Sequence, residues 1–195
     1  MKKILLTTLF TGLLSFQVQA DFVAPTSSVS SQAARYSVMN IEQLHAAAKA
    51  GQAGAQFYLA VKYQSGKDIK QDDKQAFQWF KAAADQGLSV AQLNAGRMLA
   101  AGIGISKNEG LARQYLERAV VQGENRASYN LAMMEEKNKN YVGAYQWYEL
   151  STRDGMIDVN TINRSEGRKL ALAANLTQDQ IRLARDRADQ WIQAQ

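Results

Sequence analysis

The sequence has no cysteine, one proline (Pro25) and one histidine (His45) in 195 residues. Without cysteine there is no disulfide framework, no thiolate metal ligand and no lipidated N-terminal cysteine, so the fold must be held by packing alone. A single imidazole does not build a transition-metal site, and no Ser-His-Asp arrangement has a motif to attach to. The near-absence of proline fits a chain of helices. An excess of one charge is also missing. The 23 Lys and Arg and 18 Asp and Glu interleave, as in "RLARDRAD", which leaves no basic stripe for nucleic acid. No Ser-x-x-Lys occurs, Ser165-Glu166-Gly167-Arg168 coming nearest. "GIGI", Gly102 to Ile105, has no Lys-Ser or Lys-Thr after it and is no phosphate cradle. The carboxylate pairs Asp72-Asp73 and Glu135-Glu136 diverge on a helix. No catalytic residue, metal or cofactor is expected.

The chain opens with Lys2 and Lys3, an apolar run from Ile4 to Phe16, and Val18-Gln19-Ala20 with small residues at −3 and −1. This pattern predicts a signal peptide over 1–20, a mature chain starting at Asp21, export to the bacterial periplasm, and no stable membrane anchor after cleavage. "APTSSVSSQ", Ala24 to Gln32, is small and polar, so 21–39 is expected to be a flexible linker.

From residue 40 the chain repeats itself. Ala55 to Ala91 to Ala127, Gly66 to Gly102, Ala76 to Ala112, Ala83 to Ala119 and Gly87 to Gly123 are all steps of 36. Ala112 to Ala144, Tyr115 to Trp147 and Gly123 to Gly155 are steps of 32, so the third unit has lost four residues. A half-unit at 40–51 precedes units at about 53–88, 89–124 and 125–156. Each unit reads as two helices. Ala55, Leu59, Ala60 and Tyr63 form the apolar stripe of the front helix, and Ala76, Trp79, Phe80 and Ala83 that of the back helix. Asp72 or Asp73 caps the back helix, and Gly87 supplies a left-handed end. Ala60, Gly96 and Ala132 share a register, as do Ala83 and Ala119, and small residues there let helices cross closely. His45, 36 residues before Lys81, is expected on a solvated face. Residues 157–195 are expected to be capping helices. The first carries Ile162, Leu170 and Leu172. The second starts with a Thr177–Gln180 capping box and has Ile181, Ala184, Ala188, Trp191 and Ile192 on its inner face.

"AQFYLAVKYQSG", "DKQAFQWFKAAADQG", "AQLNAGRMLAAGIGI" and "GAYQWYELSTRDG" resemble the Sel-one-like repeat family, relatives of the tetratricopeptide repeats, over Asn40 to Gly155. Asp68 stands where the family has its second loop glycine, and the third unit lacks the Gly-x-Gly loop. The resemblance implies an all-α fold, an α-solenoid of antiparallel helix pairs whose front helices line a concave groove. It further implies a protein or peptide partner held in that groove. The groove positions are Phe57, Val61, Leu93, Asn94, Arg97, Arg126, Tyr129, Asn130 and Met133. Asn94 and Asn130, flanked by Arg97 and Arg126, suit a ligand backbone or carboxylate; Phe57, Leu93, Tyr129 and Met133 suit its apolar side chains. The expected function is a non-catalytic scaffold. The alternatives are an immunity protein that neutralises a secreted effector, or an enzyme acting on cell-wall or β-lactam material. Some family members are linked to β-lactam binding, but this chain lacks the nucleophile motif.

Overall fold

The computed structural model describes residues 35–153 and 159–195. The expected signal segment lies outside them, as does the linker up to residue 34.

An Asn or Asp precedes four of the helices. α1 (Ile41–Lys49), α3 (Asp73–Asp85), α5 (Glu109–Val121) and α7 (Tyr141–Ser151) follow Asn40, Asp72, Asn108 and Asn140. Each cap side chain accepts the N–H three residues on, from Gln43, Gln75, Leu111 and Gly143, at 2.9, 2.9, 2.9 and 3.1 Å, which satisfies a donor the first turn cannot use. The helices between them, α2 (Ala53–Ser65), α4 (Ser89–Ala101) and α6 (Asn125–Lys137), have no side-chain cap. They start two residues after Gly51, Gly87 and Gly123, whose φ of 84°, 91° and 82° turns the chain back at a cost only glycine avoids. α8 (Val159–Ala173) and α9 (Gln178–Gln193) complete the chain, and Thr177 and Gln180 form a capping box at α9.

The helices pair as α2 on α3, α4 on α5 and α6 on α7, and each pair packs on the next through α3–α4 and α5–α6. The result is an all-α solenoid. Its core follows the period. Leu44, Phe80, Leu116 and Tyr148, one position in successive back helices, are all fully buried, as are Leu59, Ala95 and Leu131 in the front helices. The small-residue register is equally tight: a Cβ on Gly96 would stand 2.7 Å from Leu116 Cγ.

Several expectations are corrected. The linker ends before residue 39, because Tyr36 is buried and its hydroxyl donates to Gln52 Oε1 at 2.8 Å. On α3 the helix is turned so that Phe77 is buried and Trp79 only half-buried. The Trp79 ring stands edge-on to His45 of α1, and its Nε1 is buried with no hydrogen-bond partner among the described residues. His45 is half-buried rather than solvated, 3.2 Å from the Tyr63 hydroxyl and edge-on to Trp79. The inner face of α8 is polar. Ser151 donates to the Tyr148 carbonyl (2.8 Å) and stands 2.6 Å from Ser165, both serines fully buried, while Leu170 is 73% exposed. α9 packs on α7 through Trp191 against Trp147, ring centroids 4.9 Å apart, and leaves Ile192 half exposed.

The loop after α4 carries a sharp test. Gly104 has φ 69°, and a Cβ there would lie 2.1 Å from the Asp73 carbonyl oxygen. Asp68, one period earlier, adopts the same φ of 68°, which aspartate tolerates better than most residues. Gly104→Ala is expected to lose at least about 1–2 kcal/mol, the left-handed cost alone, whereas Asp68→Gly is expected to be tolerated. Urea titration of both variants checks this.

Candidate partner-binding groove

α4 packs directly on α6, and α6 on α8, along the front row. The front helices therefore form the inner curve, and two hollows open along it. The first, about 290 Å³, is lined by Asn94, Arg97 and Met98 of α4, Asn130, Met133 and Lys137 of α6, and Gln64 and Ile103 at its ends. The second, about 430 Å³, is lined by Tyr129, Met133, Glu136, Lys137, Tyr148 and Arg168. Met133 and Lys137 belong to both, so the hollows form one groove.

The 36-residue step places Asn94 and Asn130 at the same position of successive front helices. Asn94 Nδ2 donates to the Val90 carbonyl at 2.7 Å and Asn130 Nδ2 to the Arg126 carbonyl at 2.6 Å. A carbonyl only accepts, so the amide orientation is settled: each Oδ1 and the second N–H remain for a ligand. Arg97 is exposed and makes no hydrogen bond or ion pair among the described residues. Met133 is 49% exposed between the hollows.

The other sequence candidates have different surroundings. Leu93 is 3% exposed and belongs to the core. Phe57 and Val61 are half-buried against that core, Phe57 with its ring 5.6 Å from Phe80. Tyr129 lines the second hollow and packs on Tyr148. Arg126 lines neither hollow. Its guanidinium forks onto Glu124 at 2.7 and 2.8 Å, which removes it from the clamp expected with Asn94. Sequence reasoning missed Gln64, Lys137 and Arg168. Lys137 was within reach of the period, since Ala101, 36 residues earlier, lines the same hollow.

The second hollow has a polar floor. The Tyr148 hydroxyl donates to Glu136 Oε2 at 2.9 Å, and Arg168 binds the same carboxylate. Burial, and then the Glu136 carboxylate, push the Tyr148 phenol well above its usual range; burial and Asp85 do the same at Tyr115. A phenol pKa raised by folding contributes stability that is complete below its ordinary pKa of about 10 and is lost as pH climbs above it. An absorbance titration at 295 nm under native conditions is therefore expected to fall short of the full total of eight tyrosines. The missing amplitude should appear only on unfolding, and Tyr148→Phe should reduce it.

Among the described residues no helix is long and apolar enough to cross a membrane, and no three His, Cys, Asp or Glu side chains gather as a metal site. Stacked helix pairs with a groove on the inner row define a repeat protein of the α-solenoid class, one that offers an extended surface. The chain belongs to the Sel1 repeat family: three Sel1 repeats span residues 53–88, 89–123 and 125–156. Repeats of this kind serve as protein-interaction scaffolds. The crystal structure of a Sel1 repeat protein from Oxalobacter formigenes is 35% identical, with a TM-score of 0.52 over 65% of this chain and 97% of that one. The protective antigen c5321 of uropathogenic Escherichia coli, displaying an SLR fold, shares the fold at 23% identity and a TM-score of 0.55, over 78% of this chain and 40% of that one. A chitin synthase regulator, SKT5, from Malassezia restricta is 34% identical over 107 residues; the match takes in 54% of this chain and 7% of the regulator's length.

Proposed function

We propose that the protein is an exported, non-catalytic scaffold that holds an extended segment of a partner protein in the groove of its front helices. The observation that carries this reading is the Arg97 guanidinium, unpaired among the described residues, in one hollow with two asparagine amides one repeat apart and the exposed Met133. Asparagine Oδ1 atoms accept backbone N–H groups, Arg97 takes a carboxylate, and Met133 with Ile103 receives an apolar side chain. The name of the Malassezia relative, a regulator of an enzyme, is in keeping with action through contact with another protein. Export rests on Lys2, Lys3, the apolar run and Ala20; fractionation with N-terminal sequencing should find Asp21 first in the soluble envelope fraction, and intact Met1 on cytoplasmic protein would end that part.

A photocrosslinking residue at position 133, in the groove, or at 183, on the exposed side of α9, tests the groove in cells. The expected result is a discrete partner adduct at 133 and none at 183. Adducts at 183 with none at 133 would place the contact elsewhere and overturn the reading.

A further inference from the structure

Two glutamines buried in the stack show what the third unit lacks. Gln56 is 6% exposed and Gln92 3%. Gln56 Nε2 donates to the Ala48 carbonyl at 3.1 Å, and Gln92 Nε2, one period on, donates to the Ala84 carbonyl at 3.3 Å. Their Oε1 atoms accept from Gln86 and Gln122, again one period apart, at 2.7 and 2.8 Å. The same carboxamide thus ties a front helix to the back helix before it and to the one after it, twice. Position 128, 36 residues after Gln92, is serine. Ser128 is fully buried, and among the described residues its Oγ has no hydrogen-bond partner. The Val120 carbonyl, counterpart of Ala48 and Ala84, keeps backbone bonds from Gly123, at 2.8 Å, and Gln122, and among the described residues it receives no side-chain donor. At this spot a hollow of about 240 Å³ opens, lined by Val120, Ser128, Leu150, Arg153 and Trp191, with Val121 and Ile192 about half exposed at its rim. It is separate from the groove on the front row.

We infer that this hollow is a binding site for a primary carboxamide, the side chain of a glutamine presented by a partner polypeptide with an apolar neighbour. The chain itself supplies the precedent: two of its own glutamines fill the equivalent positions with the same donor-to-carbonyl bond. A glutamine from outside would donate to the Val120 carbonyl and, once the side chains that now cover it shift aside, reach the buried Ser128 hydroxyl, which switches between donor and acceptor by rotation. The apolar rim on Val121, Trp191 and Ile192 favours a flanking leucine-like side chain, and a glutamate is disfavoured because its carboxylate cannot donate to a carbonyl.

The test uses propanamide, which is the glutamine side chain cut at Cβ, with propanoate and butanone as controls. Titrated into the 15N-labelled full chain, propanamide is expected to give saturable shifts at the Val121, Ser128 and Arg153 amides, and the controls at least tenfold weaker ones. Ser128→Gln should rebuild the tie seen in the first two units, abolish the propanamide shifts and raise Tm by roughly 2–4 °C, as one added hydrogen bond would. A peptide Leu-Gln-Leu, acetylated and N-methylamidated, should bind more tightly than Leu-Glu-Leu. Equal shifts with butanone would mean an apolar hollow only, and would overturn the inference without reference to whether Ser128→Gln folds. So would binding that appears only in Gln195→Ala, since Gln195 also lines the hollow and would then be its own occupant.

Discussion

Phe80→Ala is expected to lower stability by about 3–5 kcal/mol, the range for emptying a buried aromatic site. For a chain of this size that is a fall in Tm of roughly 6–20 °C. Phe80 is fully buried and packs against Phe57 of the front helix, and it holds the position occupied by Leu44, Leu116 and Tyr148 in the neighbouring repeats. Removing its ring opens a void where α2, α3 and α4 meet, and neighbours already in contact through alanines have little freedom to close it. Trp79→Ala, one residue earlier, is expected to cost less, about 1–3 kcal/mol. Its ring is half-buried, and the deletion also removes an indole N–H that is buried with no acceptor among the described residues. Circular dichroism at 222 nm during urea unfolding separates the two. Equal losses, or the reverse order, would contradict the packing described above.

The second large effect is on binding. Arg97→Glu is expected to weaken the partner by about ten- to a hundredfold, because a charge-assisted hydrogen bond contributes about 1.5–3 kcal/mol and each 1.4 kcal/mol is a factor of ten. The reversal adds repulsion against the same carboxylate, which salt screens in part at an exposed site. Melting should be nearly unchanged, since Arg97 makes no hydrogen bond or ion pair among the described residues. Arg126→Ala is expected to change affinity little, its guanidinium being engaged by Glu124. Arg182→Ala is the comparison on the far side of α9, where the side chain is 73% exposed and pairs with Asp179. Equal losses at Arg97 and Arg182, measured by calorimetry, would mean that net charge and not the groove attracts the partner.

The helix pairs and their turns were legible because repetition multiplies weak signals. The cap at Asp72 was legible from one helix, and the structure shows it repeated by Asn108 and Asn140 at steps of 36 and 32. Faces were harder to read. Ala76, Phe77, Trp79, Phe80, Ala83 and Ala84 crowd α3 with apolar residues, so two rotations satisfy the helical period, and only packing in the folded chain buries Phe77 and leaves Trp79 half-buried. On α8 a hydropathy reading selects Leu170, but the inner face is Thr161, Ser165 and Leu172, where paired hydroxyls make burial acceptable. Of the residues lining the two hollows, Asn94, Arg97, Tyr129, Asn130 and Met133 were legible through the resemblance to the repeat family, which marks the positions of a front helix that face the groove. Arg126 shares their helix face in sequence, but a glutamate two residues before it, in the turn, takes its charge. Gln56 and Gln92 look like surface residues by type, and only the folded chain shows each buried and bonded to a carbonyl.

The two rows of helices differ in mechanical character. Along the inner row α4, α6 and α8 touch in succession, while α3 and α5 are joined mainly through the front helix between them. The inner edge is accordingly the stiff one, and the outer edge carries the compliance of the molecule, in the manner of a leaf spring clamped along one side. A ligand bridging Asn94 and Asn130, as proposed above, would tie two neighbouring leaves together and stiffen the spring.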